Sequence, residues 1–266
     1  MVAEPLPDEL HRPPHRPGAD PRRAPWTLMY HSVDHYEEDP YLLTVTPERF
    51  VRQMRWLRRR GLRGVGIAEL LAAHAAGRAA DLVGLTFDDG YADFETQALP
   101  VLRAHGFTAS VYVVADRLGR HNTWDPGGPR KRLLTADQVR AVAAAGMEIG
   151  SHSLVHTTLT ELPADRLTAE TARSREVLEE VVGGPVTGFC YPYGTVDQRV
   201  ADAVRAAGYD YACAIGHSPL TGRYALPRCY VGDRDGGWRL HAKRARHLAR
   251  SLRAAVRPRG AGGGRG

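Results

Sequence analysis

Cysteine is scarce in this 266-residue chain: Cys190, Cys213 and Cys229 are an odd number, and no two form a Cys-x-x-Cys pair. That excludes a disulfide framework and offers no thiolate zinc site, so the three are expected to be reduced and mostly buried. No apolar run approaches the ~18 residues that a membrane span needs. Residues 1–23 lack the apolar stretch of a secretion signal, so the chain as written is expected to stay in the cytoplasm, an extracytoplasmic place requiring a start further upstream. Lysine is nearly missing, with Lys131 and Lys243 the two among 36 basic residues, which reads as the residue bias of a GC-rich genome. Acid is missing from residues 238–266, which hold nine Arg or Lys. Residues 1–25 set four Arg against four acids, so of the formal net charge of +6 the body in between carries −3. The basic balance therefore belongs to a tail and not to a nucleic-acid groove, and no nucleic-acid partner is expected.

What is present is ordinary globular material, 43% hydrophobic and 25% charged, in a length that suits one domain. Residues 1–25 hold seven prolines and cannot propagate helix or sheet, so they read as a disordered leader. From Trp26 onward short apolar runs alternate with amphipathic stretches. Strands are predicted at 26–30, 82–87, 109–114, 147–150, 186–190 and 209–215. Helices are predicted at 47–60, 68–76, 92–105, 136–145, 163–182 and 197–207, several followed by a glycine that suits a helix C-terminus. This βα alternation predicts an α/β fold, either a barrel or an open parallel sheet, with the chemistry where strands end. A last helix at 238–256 places Ala245, Leu248, Leu252 and Ala255 on one face, expected to dock on the body. Its basic face reads first as solvated and second as a membrane-surface element. Residues 257–266 form a Gly- and Arg-rich tail.

Three segments at predicted strand ends carry chemistry. In Leu85-Thr86-Phe87-Asp88-Asp89-Gly90 an apolar strand runs into two adjacent acids. Asp-Gly alone is a turn signal, but neighbouring carboxylates repel unless a cation or shared proton offsets them, and one can then bind metal while the other acts as a base. In Gly150-Ser151-His152-Ser153-Leu154-Val155-His156 two imidazoles stand four residues apart, flanked by serines able to orient them. With 12 histidines the spacing is weak evidence, since His11 with His15 and His31 with His35 share it. Two His and one Asp with open positions nevertheless suit a hydrolytic divalent metal. Phe189-Cys190-Tyr191-Pro192-Tyr193-Gly194 is an aromatic, proline-stiffened loop that reads as packed structure or as a sugar-stacking wall with a backbone N–H for an oxyanion.

In this order, Thr86-Phe87-Asp88-Asp89-Gly90, His152-Ser153-Leu154-Val155-His156 and Tyr191-Pro192-Tyr193-Gly194 resemble the polysaccharide deacetylase family (carbohydrate esterase family 4, the NodB-homology domain), and the likeness runs from 26 to 231. The resemblance implies a single-domain distorted (β/α)7 barrel over 26–256. It also implies a metal-dependent hydrolase acting on carbon–nitrogen bonds other than peptide bonds. The partner would be an acetylated amino-sugar glycan or glycan precursor, losing an N- or O-acetyl group. By resemblance Asp88 is the catalytic base, Asp89, His152 and His156 hold a divalent metal (Zn first, with Co, Ni or Mn as alternatives), and Tyr193 supplies an oxyanion N–H beside Tyr191 and Pro192. Two departures stand out. Cys190 occupies the place where the family commonly has a base-orienting Arg, for which Arg228 is the substitute, and the family's late Leu-x-His is missing. Met29-Tyr30-His31 is similar to a subgroup whose early Met-x-Tyr-His supplies the general acid, which nominates His31, with His217 as competitor. The alternatives are a small-molecule amidohydrolase on the same scaffold and a non-catalytic carbohydrate-binding relative.

Overall fold

The computed structural model describes residues 24–256; the predicted 257–266 tail and, apart from its last two residues, the predicted 1–25 leader lie outside the described residues. The strands are β1 (Thr27–Tyr30), β2 (Ser32–Val33), β3 (Thr44–Val45), β4 (Arg63–Val65), β5 (Leu82–Phe87), β6 (Ser110–Val113), β7 (Glu148–Ser151), β8 (Gly188–Cys190), β9 (Tyr211–Cys213) and β10 (Cys229–Tyr230). The α-helices are α1 (Pro47–Arg59), α2 (Ile67–Ala75), α3 (Leu99–Ala104), α4 (Ala136–Ala144), α5 (Ala164–Thr168), α6 (Ser174–Val182), α7 (Gln198–Ala206) and α8 (Gly237–Val256).

β5 is buried along its whole length, as expected of a strand covered on both faces. It lies in an all-parallel sheet of order β10-β1-β5-β6-β7-β8-β9, with β4 paired to the start of β5. Past β9 the sheet curls back. Leu226 bonds to β9 through Ala212 and Ala214, and three residues later Cys229 pairs with Leu28 of β1. This curled sheet with outer helices is the distorted barrel that the resemblance implied. Because every strand runs the same way, all their carboxyl ends share one rim.

The barrel interior is filled by Tyr112, Tyr211, Cys190, Cys213 and Leu226. Gly188 makes room for them: a Cβ there would sit 2.2 Å from the Tyr211 hydroxyl. Tyr211 donates to the Glu148 carboxylate at 2.6 Å and meets the Tyr112 hydroxyl at 3.2 Å, so the buried phenols are satisfied within the barrel.

The structure corrects the predicted elements in three places. Four short strands, β2, β3, β4 and β10, had no periodic signal because two or three residues cannot display one. The helix predicted at 92–105 opens as a π-turn over Phe94–Ala98 and becomes α-helical only where Pro100, which lacks an N–H, sits in the first turn of α3. The helix predicted at 163–182 is likewise divided by a π-turn, Ala169–Arg173, whose buried Glu170 is used by the site below.

Candidate active site

The register Tyr30↔Phe87 sets the ends of β1 and β5 side by side, so the residues that follow, His31 and Asp88, are neighbours. His31 Nε2 lies 3.9 Å from Asp88 Oδ2. β7 and β8 end on the same rim and deliver His152 and the loop after Cys190. Among the described residues five non-glycine positions have positive φ: Leu42, Asp89, Ser153, His156 and Tyr193. Four of them lie in this cluster. Backbone strain of this kind costs about 1–3 kcal/mol per residue, and here it collects where side chains must be aimed.

Asp88 is buried and gripped from inside the barrel. Arg228 donates Nη1 to Oδ1 at 2.6 Å and Nη2 to Oδ2 at 2.8 Å, while its Nε is held by Ala214 O at 2.9 Å. Burial by itself would raise the Asp88 carboxyl, but the Arg228 charge and hydrogen bonds hold it below the ordinary carboxylate range. Cys190 Sγ completes the group, 3.1 Å from Arg228 Nη2. Its thiol is pushed well up by burial and stays protonated. The strand position of Cys190 thus carries a small neutral group, and the cation arrives from the segment that precedes β10.

Arg228→Met should destabilise the fold by about 3–5 kcal/mol, because the Asp88 carboxylate is left buried without its cation. The contribution of the pair is present above the ordinary carboxylate range and is lost as pH falls through the lowered folded value. In urea unfolding the gap between wild type and variant should therefore narrow in acid. A gap below about 1 kcal/mol at neutral pH, or one independent of pH, would show that the pair does not govern Asp88.

Asp89 faces the other way, towards two imidazoles. His152 Nε2 and His156 Nε2 each lie 3.3 Å from Asp89 Oδ1, which is buried and meets no donor in hydrogen-bond geometry. His152 Nδ1 contacts Cys190 O at 2.8 Å, and since a carbonyl can only accept, that nitrogen carries the proton. With Nδ1 so occupied, the Nε2 of His152 is the atom turned towards the carboxylate oxygen, and as a neutral ring it would share a cation with that oxygen. A spacing of 3.3 Å is also close to the edge of a tetrahedron whose ligand bonds are about 2.0–2.1 Å. The donor set fits a divalent ion. Burial opposes charge on all three groups; the attraction of the imidazoles still holds Asp89 well below its usual value and that of the carboxylates raises His152, while burial prevails at His156 and lowers it. Asp88, His152 and Cys190 also bring ligand-type atoms within 4.8 Å of one another, but there Arg228 already supplies the positive charge.

The segment carrying these histidines is not a helical turn. Ser153 and His156 are left-handed, His156 N donates to Ser153 Oγ at 3.0 Å, and Glu170 accepts from Leu154 N and Val155 N at 2.9 and 3.1 Å. The flanking serines therefore do not orient the rings as expected: Ser153 holds backbone, and Ser151 Oγ bonds Ser174 Oγ at 2.8 Å. The aromatic loop needs a correction too. Tyr191 and Pro192 are buried, with the Tyr191 hydroxyl donating to Tyr224 O at 2.8 Å, so neither forms a sugar-stacking wall. Only Tyr193 faces outward, 47% exposed, its ring edge-on to His156 at 4.7 Å. His217 packs on His247 of α8 with ring centroids 5.5 Å apart, whereas His31 stands beside Asp88. His35 pairs with exposed Glu48 outside the cluster.

Several neighbours were not identified from sequence. Trp124 stacks on His156 at 4.4 Å with an interplanar angle of 20°. Asp125, next in the chain, has its carboxyl raised by burial and by the charge of Asp89. Both lie in a loop rich in Gly and Pro, whose composition signals only a turn. Behind His31, Ser32 Oγ donates to Asp93 Oδ2 at 2.7 Å, and Lys131 Nζ reaches Ser32 Oγ and Asp34 Oδ2 at 2.7 and 2.9 Å.

A family model described as polysaccharide deacetylase matches residues 76–212. YxkH of Bacillus subtilis, a protein of polysaccharide deacetylase type, is 27% identical over 215 residues, covering 79% of this chain and 72% of its own. The poly-β-1,6-N-acetyl-D-glucosamine N-deacetylase of Escherichia coli K12 is 26% identical over 245 residues; the match covers 77% of this chain but 36% of that protein, so the chain spans about a third of its length. Among solved structures, the Streptococcus pyogenes deacetylase PplD, in complex with acetate, superposes with a TM-score of 0.71 at 22% identity, covering 82% of this chain and 97% of that one. A de-N-acetylase from Aggregatibacter actinomycetemcomitans gives 0.69 at 22% identity, covering 82% and 98%. At these identities the two structures establish the shared fold.

Proposed function

The chain belongs to the polysaccharide deacetylase family, and from that premise we propose that it is a metal-dependent enzyme hydrolysing the N-acetyl group of an amino-sugar glycan or glycan precursor. The observation that carries this reading is the division of labour between adjacent acids: Asp89 faces two imidazoles at 3.3 Å while Asp88 is held by Arg228 at 2.6 and 2.8 Å. Asp89, His152 and His156 would hold the ion, Zn foremost. When bound it supplies Lewis-acid polarisation of the amide carbonyl and acidifies an adjacent water. Asp88, kept ionised and aligned by Arg228, accepts the proton of the attacking water. The Tyr193 N–H, presented by a left-handed residue, donates to the developing oxyanion. His31, as imidazolium, donates a proton to the departing amine nitrogen, and acetate and a free amino sugar are released. The activity named for the E. coli relative makes β-1,6-linked N-acetylglucosamine oligomers the first substrates to test.

The test is acetate release from such oligomers and from chitooligosaccharides by protein reconstituted in turn with Zn, Co, Ni and Mn. Acetate and primary amine in equal amounts are expected from at least one combination; none from all would overturn the proposal. His31→Ala probes the acid. It should retain metal yet lose about 10² or more in amide turnover, while an activated aryl acetate, whose leaving group needs no proton, should be affected far less. Equal losses on both substrates would reject His31 in that role.

A further inference from the structure

α8 carries two lines of side chains on opposite sides, and they are not the two that the apolar pattern predicts. The docked line is Leu240, His247 and Ser251: His247 Nε2 donates to Ala24 O at 2.9 Å and Ser251 Oγ to the same oxygen at 3.5 Å. Lys243 reinforces it, with Nζ on Tyr230 O and Asp235 Oδ2 at 2.5 and 2.7 Å. The expected docking residues Ala245, Leu248 and Leu252 are exposed, while the side chain of Ala255 lies outside the described residues. Beyond the buried Leu240 the helix is fastened through polar groups, which no hydrophobic pattern registers.

The outward face is consequently apolar. Trp238 is 72% exposed, Leu248 42% and Leu252 40%, with exposed Ala245 between them on the same line of three- and four-residue steps. Single surface leucines are common, but a Trp-Leu-Leu stripe aimed at solvent on one helix face marks a contact surface. Arg239, Arg246 and Arg250 are exposed on a separate line, about 100° or more round the helix from the stripe, and no acid occurs after residue 237.

We infer that this face of α8 docks on an anionic lipid bilayer. The apolar stripe would enter the boundary between headgroups and acyl chains, with Trp238 at the interface and the arginines on the headgroup phosphates. Charge selects this occupant. Residues 238–266 carry nine cationic residues against a body of −3, which complements an anionic surface and sets arginine against arginine in a pairing of two copies. A nucleic acid would use the arginines but leave the Trp-Leu stripe in water. No helix among the described residues is long and apolar enough to cross a membrane, so α8 lies on the surface. This inference stands independently of the catalytic chemistry.

The test is co-sedimentation of the full chain with phosphatidylglycerol-containing vesicles and with pure phosphatidylcholine vesicles, at low and high salt. Binding to the anionic vesicles, weakened by salt, is expected. The double variants Leu248→Glu/Leu252→Glu and Arg246→Glu/Arg250→Glu should each reduce partitioning by about tenfold or more while melting temperature and turnover of a soluble substrate stay unchanged. Failure of the full chain to bind anionic vesicles would overturn the inference. So would unaltered binding by the leucine variant, which would mean that the basic tail acts as a simple polycation. Micromolar dimers in sedimentation equilibrium that Leu248→Glu dissolves would reassign the face to a second copy of the chain.

Discussion

His152→Ala and His156→Ala are each expected to abolish deacetylation and to lose stoichiometric divalent metal. Asp89 Oδ1 lies buried 3.3 Å from both Nε2 atoms with no donor in hydrogen-bond geometry. Removing one imidazole takes away one of three protein ligands and leaves a carboxylate and a single nitrogen, a set that holds a divalent ion weakly. The two variants differ in the backbone. His156 is left-handed at φ 63, a conformation that Ala accepts at a cost, whereas Asn tolerates it. His156→Asn therefore separates lost ligation from lost backbone geometry: it should fold like the wild type and still fail to retain metal. Metal analysis and acetate release are the readouts. Full activity with stoichiometric metal in either alanine variant would remove Asp89, His152 and His156 from the proposed site.

Asp88→Asn should retain metal and lose turnover by roughly 10² to 10⁴, the usual contribution of a positioned base. The amide keeps the shape of the carboxylate but cannot accept the water proton. It also leaves Arg228, buried and bidentate, without its counter-charge, so a loss of about 3–5 kcal/mol in stability accompanies the change. Activity is therefore measured at a temperature where circular dichroism shows the variant folded. A fall in metal content together with rate would make Asp88 a ligand and exchange its role with that of Asp89. A variant folded, metal-loaded and fully active would exclude Asp88 as the base.

Helices of nine or more residues were largely legible because amphipathic periodicity is a local property, and a terminal glycine such as Gly61, Gly146 or Gly208 closes the pattern with a positive φ. The two π-turns were not. In one, Pro100 removes a donor, and in the other the widened turn delivers Glu170 to Leu154 N and Val155 N, a demand that comes from another part of the chain. The short strands were missed for a related reason: β10 is a strand only because Leu28 and Met29 lie beside it.

The sequence by itself determined that the chain alternates strand and helix and that acids and imidazoles stand immediately after apolar strands. In a parallel sheet that is enough to place Asp88, Asp89 and His152 on one rim, because side chains following parallel strands must emerge at the same end. Resemblance nominated Arg228 and His31, but the contacts themselves were decided by the tertiary structure. Arg228, 140 residues after Asp88, becomes its counter-ion because the segment before β10 closes the curled sheet, and that closure also lets position 190 carry a cysteine. Trp124 stands on His156, and His31 rather than His217 stands beside Asp88, through packing between segments far apart in sequence. α8 shows the limit most clearly. Its apolar spacing marks a face but not what covers it: the helix is held to the body by Leu240, Lys243, His247 and Ser251, with Leu248 and Leu252 turned outward.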